Sequence, residues 1–264
     1  MSESRLTARE LILTLIDSAA GTTLSARYFV AAGQLFGLDA SSVRVALGRL
    51  VRDGSLVQAE RGSYSLGTRG GTLHRLVRNW ARVEASLKPW RGGWLTIVTG
   101  HLPRSDKTRR RSRERALRLF GFAESMPGLW VRPDNLVSDV AEVHDALLEL
   151  GLDAEAVAGV FSQMRPDHAI APSRLWDRLL LETRYVRHLE ALSDSSERLP
   201  LLGPEQAAIE TLLLGRTVTR DILLDPLLPD ELVDTALRKR MIAAMRAYDR
   251  QGRSFWRAFH REHN

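Results

Sequence analysis

Arg44, Arg49 and Arg52, with Ser41 and Ser42 ahead of them, are the residues whose types and spacing best suit a chemical task. Guanidinium groups donate paired hydrogen bonds to phosphates and to guanine edges. Hydroxyls in the first turn of a helix stand beside backbone N–H groups that favour phosphate. The run DASSVRVALGRLVRDG, from Asp39 to Gly54, reads as one helix in which each residue turns about 100°. Val43, Ala46, Leu47, Leu50 and Val51 then share an inner face. Ser41, Val45, Gly48 and Arg52 share the outer face, flanked by Ser42, Arg44 and Arg49. Asp39 is placed to cap the helix, and Gly54 to end it in the left-handed conformation. Such a helix suits insertion into a DNA major groove. A helix that merely exposes arginine to water has the same pattern, so its neighbours have to decide.

Catalytic chemistry has little to build on. There is no phosphate-cradling glycine loop, nucleophile elbow or paired-histidine zinc motif. His260 and His263 stand three apart but close to the C-terminus, and the neighbours His144-Asp145 and Asp167-His168 point apart. With no cysteine, disulfides, zinc ribbons and thiol catalysis are excluded. No cofactor and no metal are expected.

The elements around the arginine helix give it a context. Thr7 to Glu10 is a capping box opening a run with Leu11, Ile12, Leu15, Ile16 and Ala19 on one side, and Gly21 ends it. Ser25 caps a second run, Ala26 to Phe36, which Gly37 ends. Beyond the arginine helix, Leu56 to Glu60 and Ser63 to Leu66 alternate like strands, with Arg61-Gly62 as the turn. Three helices and a basic-tipped hairpin, in that order, make a winged helix-turn-helix. Its third helix reads base edges, and Arg61 at the wing tip touches phosphate or the minor groove.

At 264 residues, with 44% hydrophobic and 27% charged residues, the chain has material for one large domain or two to three small ones. No apolar run approaches the ~20 residues of a membrane span, and Met1 to Arg9 is too polar for a signal peptide. A cytoplasmic protein with no membrane partner is expected. The net charge of +6 divides unevenly: +4 over residues 1–81, +8 over 82–118 and −6 over 119–264. A polyanion-binding front and a back that avoids nucleic acid fit that division. Arginine supplies 35 of the 38 basic residues, a preference that codon bias alone can produce.

The expected domains are a winged helix at 1–70, a linker helix at 71–90, a ferredoxin-like domain at 91–168 and a helical domain at 169–264. Thr72 to Leu87 reads as the linker helix. The middle unit has the order βαββαβ. It runs from the strand at Leu95 to Thr99, through the basic helix KTRRRSRERALR and two short strands around Met126-Pro127-Gly128, to the helix Val140 to Leu150 and the strand Glu155 to Phe161. The basic helix either lies along DNA phosphates or is a solvated outer face. From Pro172 the chain reads as all-helical. A helix from Arg174 to Leu192 carries Leu175, Leu179, Val186 and Leu189 with Trp176 and Tyr185, and Asp194-Ser195-Ser196 breaks it. Further helices start at Pro204 and Pro229. Arg178, Arg184 and Arg220 among these aromatics offer an anionic effector its counter-charges, with Trp176 and Tyr185 for an apolar tail. The bland alternative is surface arginine and core aromatics.

Three stretches, SSVRVALGRLVRDG, GFAESMPGLWVRP and LLDPLLPDEL, together resemble the PaaX-type repressors of phenylacetic acid catabolism, and the resemblance spans nearly the whole chain. It implies an α+β chain: a winged helix, a ferredoxin-like domain similar to a CRISPR-associated small endonuclease, and a helical C-terminal domain. It further implies a homodimer on a double-stranded operator, released by an aryl- or acyl-CoA thioester, with Ser41, Ser42, Arg44, Arg49, Arg52 and Arg61 facing DNA. The endonuclease relatives carry a metal-binding aspartate by the first strand. Trp94 to Gly100 holds no acidic residue, so nuclease activity is not carried over and no enzyme is expected. The alternatives are a metal-dependent nuclease and a winged-helix protein-interaction adaptor.

Overall fold

A computed structural model describes residues 6–18, 23–60, 62–67, 71–103, 105–163 and 170–263. The chain forms two compact units. One comprises Met1–Arg78, Ala191–Thr217 and Met245–Asn264, the other Asn79–Glu190 and Val218–Ala244.

In the first unit, α1 (Ala8–Ser18), α2 (Ala26–Leu35) and α3 (Ala40–Arg52) pack together. Short strands β1 (Leu24–Ser25), β2 (Leu56–Glu60) and β3 (Ser63–Leu66) form an antiparallel sheet in the order β1-β3-β2. The capping box forms as expected: Thr7 N donates to Glu10 Oε2 (2.9 Å) and Glu10 N to Thr7 Oγ1 (3.3 Å). Ser25 caps α2 by accepting from Tyr28 N at 3.1 Å. Leu11, Ile12, Phe29, Val43, Leu47 and Leu50 are buried together. Each such side chain contributes about 1.5–3 kcal/mol by leaving water. In the sheet, Leu56 faces Leu66, and Tyr64 lies between Gln58 and Leu24. α4 (Gly71–Asn79) follows.

The second unit is built on an antiparallel sheet of four strands. They are β4 (Trp94–Val98), β5 (Ala123–Met126), β6 (Leu129–Pro133) and β7 (Val157–Phe161), in the order β5-β6-β4-β7. α5 (Lys107–Leu119) and α6 (Val140–Glu149) connect them, so the βαββαβ order is realised. Ile97 sits between Trp130 and Ala158, and with Leu95, Leu117, Val143 and Leu147 it closes the core. Asp139 and Glu142 form a capping box at α6.

The C-terminal region is helical: α7 (Pro172–Leu175), α8 (Arg178–Arg198), α9 (Pro204–Leu223) and α10 (Thr235–His263). Here several sequence expectations are corrected. Asp194-Ser195-Ser196 does not break α8. Ser195 is fully buried and bonds the Tyr248 hydroxyl (2.7 Å) and the Glu210 carboxylate. Its hydroxyl is thereby unavailable to compete for the helix backbone. The inner face of α8 is Leu181, Tyr185, His188 and Leu192, not the face of Leu179, which is 74% exposed. Side-chain bonds from Tyr185 to Asp225 and between His188 and Asp221 fix that phase. α10 starts at Thr235 rather than Pro229 and runs unbroken through Ser254. The linker helix ends at Asn79, and Trp80–Ser86 continues as a 3-10 helix around buried Trp80.

Candidate nucleic-acid interface

α3 exposes the face expected of it. Val43, Leu47 and Leu50 are buried, with Ala46 and Val51 half-buried beside them. Ser41, Ser42, Arg44, Val45, Gly48, Arg49 and Arg52 are all exposed. Among the described residues no carboxylate pairs with Arg44, Arg49 or Arg52. A side chain at Gly48 would meet nothing within 4 Å, so that glycine leaves open space on the outer face. Asp39 occupies the N-cap position, but its side chain makes no cap hydrogen bond, which corrects the expectation for it. The N–H groups of the first turn are therefore not quenched by Asp39. At the other end Gly54 takes the left-handed conformation (φ 74°). Asp53 turns back to accept from Ser55 N (3.0 Å) and from Arg9 (2.6 Å). Those bonds, Ser55 first and Arg9 second, hold its carboxyl well down, at about 2. A carboxylate beside a basic face is thus tied to its own unit.

The hairpin β2–β3 turns at Gly62 (φ 86°), whose carbonyl accepts from Ala26 N at 2.7 Å. Arg61, expected at its tip, lies outside the described residues, as does His168.

In the second unit the proposed effector residues are not brought together as one group. Trp176 stacks on Trp94 (centroids 6.2 Å, planes at 5°) and, with Arg184, lines an open cleft of about 390 Å³. Tyr185 is buried, and its hydroxyl donates to Asp225 Oδ2 at 2.7 Å. Arg178 pairs with Glu182 at 2.7 Å and Arg220 with Asp221 at 3.3 Å; neither lines the cleft. Sequence reasoning missed Arg118, Arg174, Phe122 and Trp130, which do. Arg118 lies over the Trp130 ring at 6.0 Å, and Arg174 has no ion-pair partner among the described residues. The lining also holds the carboxylates Glu124 and Asp177. Three arginines against two acids, with the aromatic rings, leave a modest excess of positive charge that suits an anionic ligand with an apolar part.

Beside the cleft, two of the motifs noted in the sequence meet. Gly121 (φ 76°) approaches Pro226 so closely that a Cβ there would lie 2.7 Å from the Pro226 carbonyl oxygen. Fully buried Arg132 donates to the Phe120 carbonyl and, at 3.1 Å, to Asn135 Oδ1. Burial pulls its guanidinium down to about 9, so it remains charged at neutral pH. Asn135 Nδ2 donates to Leu227 O at 2.7 Å, and Leu227 holds a positive φ of 53°. Arg132 stands within the run GFAESMPGLWVRP, but no sequence signal marked Asn135, whose partner Leu227 lies 92 positions away.

Residues 7–70 match the family described as PaaX-like protein, and residues 87–169 match the PaaX protein central Cas2-like domain. The chain belongs to the PaaX-like family. A solved structure of an uncharacterised protein, Rv0674 from Mycobacterium tuberculosis, is similar to this PaaX-like chain. The TM-score is 0.64 over 97% of this chain and 98% of that one, at 23% sequence identity. The likeness shows a shared fold. No curated protein matches the chain.

Three further features bear on partners of this PaaX-like protein. The basic helix α5 is partly neutralised within its own unit: Arg109 and Arg113 pair with Asp153 (3.1 and 3.2 Å), and Arg110 with Glu114 (2.7 Å). Among the described residues there is no group of three or more His, Asp or Glu that could hold a metal. None of the described helices is long and apolar enough to cross a membrane.

Proposed function

We propose that this chain is a sequence-specific DNA-binding transcriptional regulator, a dimeric repressor without catalytic activity. The observation that carries this reading is the exposed face of α3, where Ser41, Ser42, Arg44, Val45, Arg49 and Arg52 surround an open glycine and, among the described residues, no carboxylate pairs with the arginines. The α2–α3 pair and the β2–β3 hairpin act as a winged helix-turn-helix, with α3 in the major groove and the hairpin against phosphate or the minor groove. Membership of the PaaX-like family supports the regulatory role. A dimer would engage two half-sites about 34–36 Å apart, or multiples of that.

Release needs a ligand that binds the free form better than the DNA-bound form, because equal affinity shifts nothing. The cleft lined by Arg118, Arg174, Arg184, Trp130 and Trp176 supports a small anionic effector, such as an aryl- or acyl-CoA thioester.

The test is operator selection from genomic fragments, followed by Arg44→Ala and Arg49→Ala. Loss of a bidentate base contact costs about 1–3 kcal/mol and relaxes one operator position, whereas loss of a phosphate contact weakens all sequences alike. If both variants bind as the wild type does, α3 does not read DNA.

A further inference from the structure

The net negative charge of residues 119–264 conceals a strongly basic surface. Met245–His263, the part of α10 in the first unit, holds Arg246, Arg250, Arg253, Arg257 and Arg261 against two carboxylates, Asp249 and Glu262. All five arginines are exposed. Their spacings of four, three, four and four residues keep them within an arc of roughly 80° at about 100° per residue. The stripe is about 22 Å long at about 1.5 Å rise per residue. The opposite side of the helix carries Met245, Tyr248, Gly252 and Phe259, all buried. Phe259 packs edge-on against Tyr28 of α2 at 5.8 Å, so the stripe stands on a helix fixed to the core that also supports α3.

A solvated basic helix is normally laced with opposite charges one turn away, because like charges at that spacing repel. Arg178–Glu182 on α8 and Arg110–Glu114 on α5 follow that rule. Among the described residues the stripe has one such pair, Arg253–Asp249 at 2.8 Å. Arg257 Nε donates only to the Arg253 carbonyl (3.2 Å). Arg246, Arg250 and Arg261 have no side-chain partner among the described residues. Four of the five guanidinium groups thus have no carboxylate partner among the described residues, and such a row matches a linear polyanion and offers no base-reading geometry.

We infer that this arginine stripe is a second, sequence-independent contact for the phosphate backbone of duplex DNA. The inference rests on the DNA-binding reading above and adds a surface outside the family's matched segments. Each phosphate neutralised releases counterions, so the contact is visible as salt dependence: log K falls against log salt with a slope of about −0.9 per phosphate on duplex DNA.

The experiment uses the full chain and a 40-base-pair duplex of arbitrary sequence, titrated by fluorescence anisotropy at several salt concentrations. Arg246, Arg250, Arg257 and Arg261 are replaced together by glutamine. The expected slope is shallower by about 2–4, with affinity near 0.1 M salt lower by at least about tenfold. Operator and arbitrary DNA should lose the same factor. The pair Arg250→Gln and Arg257→Gln, expected to flatten the slope by about 2, serves if circular dichroism shows the fourfold variant misfolded. A wild-type slope and affinity in a folded variant overturn the inference and leave the α3 reading standing. Failure of the wild-type chain to bind duplex DNA at low salt overturns both.

Discussion

Gly33 of α2 lies so close to Val43 of α3 that a Cβ at Gly33 would sit 2.7 Å from Val43 Cγ2. The contact sets how deeply α3 settles on α2, and with it the position of the arginine face. Alanine for glycine in a helix normally gains about 1 kcal/mol. Here Val43 is wholly buried and stiff at χ1, so it cannot swing away. Overpacking costs about 1–3 kcal/mol, so Gly33→Ala should be net destabilising, by about 1–2 kcal/mol in urea unfolding. Adding Val43→Ala should recover part of that loss and give a favourable coupling in the double-mutant cycle. A Gly33→Ala variant more stable than the wild type would show that the helices are free to separate.

Arg238 in the second unit is 1% exposed. Its Nε bonds Glu84 Oε1 at 2.7 Å, its Nη1 bonds Leu228 O at 2.7 Å and lies 4.0 Å from Asp225 Oδ1. Burial already pushes the Asp225 carboxyl above its ordinary value, against the pull of Arg238 and the Tyr185 hydrogen bond. Arg238→Met removes that counter-charge and should cost about 3–5 kcal/mol. Adding Asp225→Asn should return some of it, because one of the two carboxylates that face Arg238, Glu84 being the other, is then neutral. Chemical denaturation of the three variants measures both steps, and a mild effect of Arg238→Met alone would count against a charged cluster.

Local signals made α3, the capping box at Thr7 and the βαββαβ order readable in the sequence, since each is set by neighbours within one turn or one strand. The phase of α8 was not readable. It depends on Tyr185 reaching Asp225, 40 positions on, and on His188 reaching Asp221, 33 positions on. The apolar residues Leu179 and Val186 gave a competing face that proved exposed. Arg118 and Trp130 of the cleft were missed for the same reason: they come from a helix and a strand distant in sequence from Trp176. The arginine stripe was hidden by summing charge over a region whose carboxylates lie mostly elsewhere.

Asp53 gives the first unit an acid-sensitive bond. Its folded pKa of about 2 lies below the ordinary ~3.9 of an unfolded aspartate. Ionised Asp53 therefore adds stability that is fully present above about pH 4 and is lost as pH falls towards 2. The Arg9–Asp53 pair is exposed, so solvent screening limits the gain to well under about 1 kcal/mol. Thermal melts of Asp53→Asn should converge on the wild type between pH 4 and about 2. A gap that widens in acid would contradict this assignment.

If the cleft takes the effector, Arg174 should matter for the ligand and not for the fold. It is exposed and has no ion-pair partner among the described residues. Thermal-shift screening with aryl- and acyl-CoA thioesters should find a ligand that raises the melting temperature and lowers operator affinity. Arg174→Ala should weaken that ligand about tenfold, the ~1.4 kcal/mol of one charge-assisted hydrogen bond, with the unliganded melting temperature unchanged. A ligand that shifts Arg174→Ala and Trp176→Ala variants as it shifts the wild type binds somewhere else.

Ser42→Glu separates DNA binding from folding most cleanly. Ser42 is exposed in the first turn of α3, where the N-cap side chain Asp39 makes no hydrogen bond of its own. A carboxylate at a helix N-terminus is favourable for the helix by about 0.3–1 kcal/mol, so circular dichroism and the melting temperature should hold or rise slightly. The same charge repels a phosphate that would otherwise approach these N–H groups. Operator affinity should therefore drop by at least about tenfold. A fall in both stability and binding would make Ser42 part of the fold. Full binding by a stable Ser42→Glu protein would mean that α3 does not present its N-terminus to DNA.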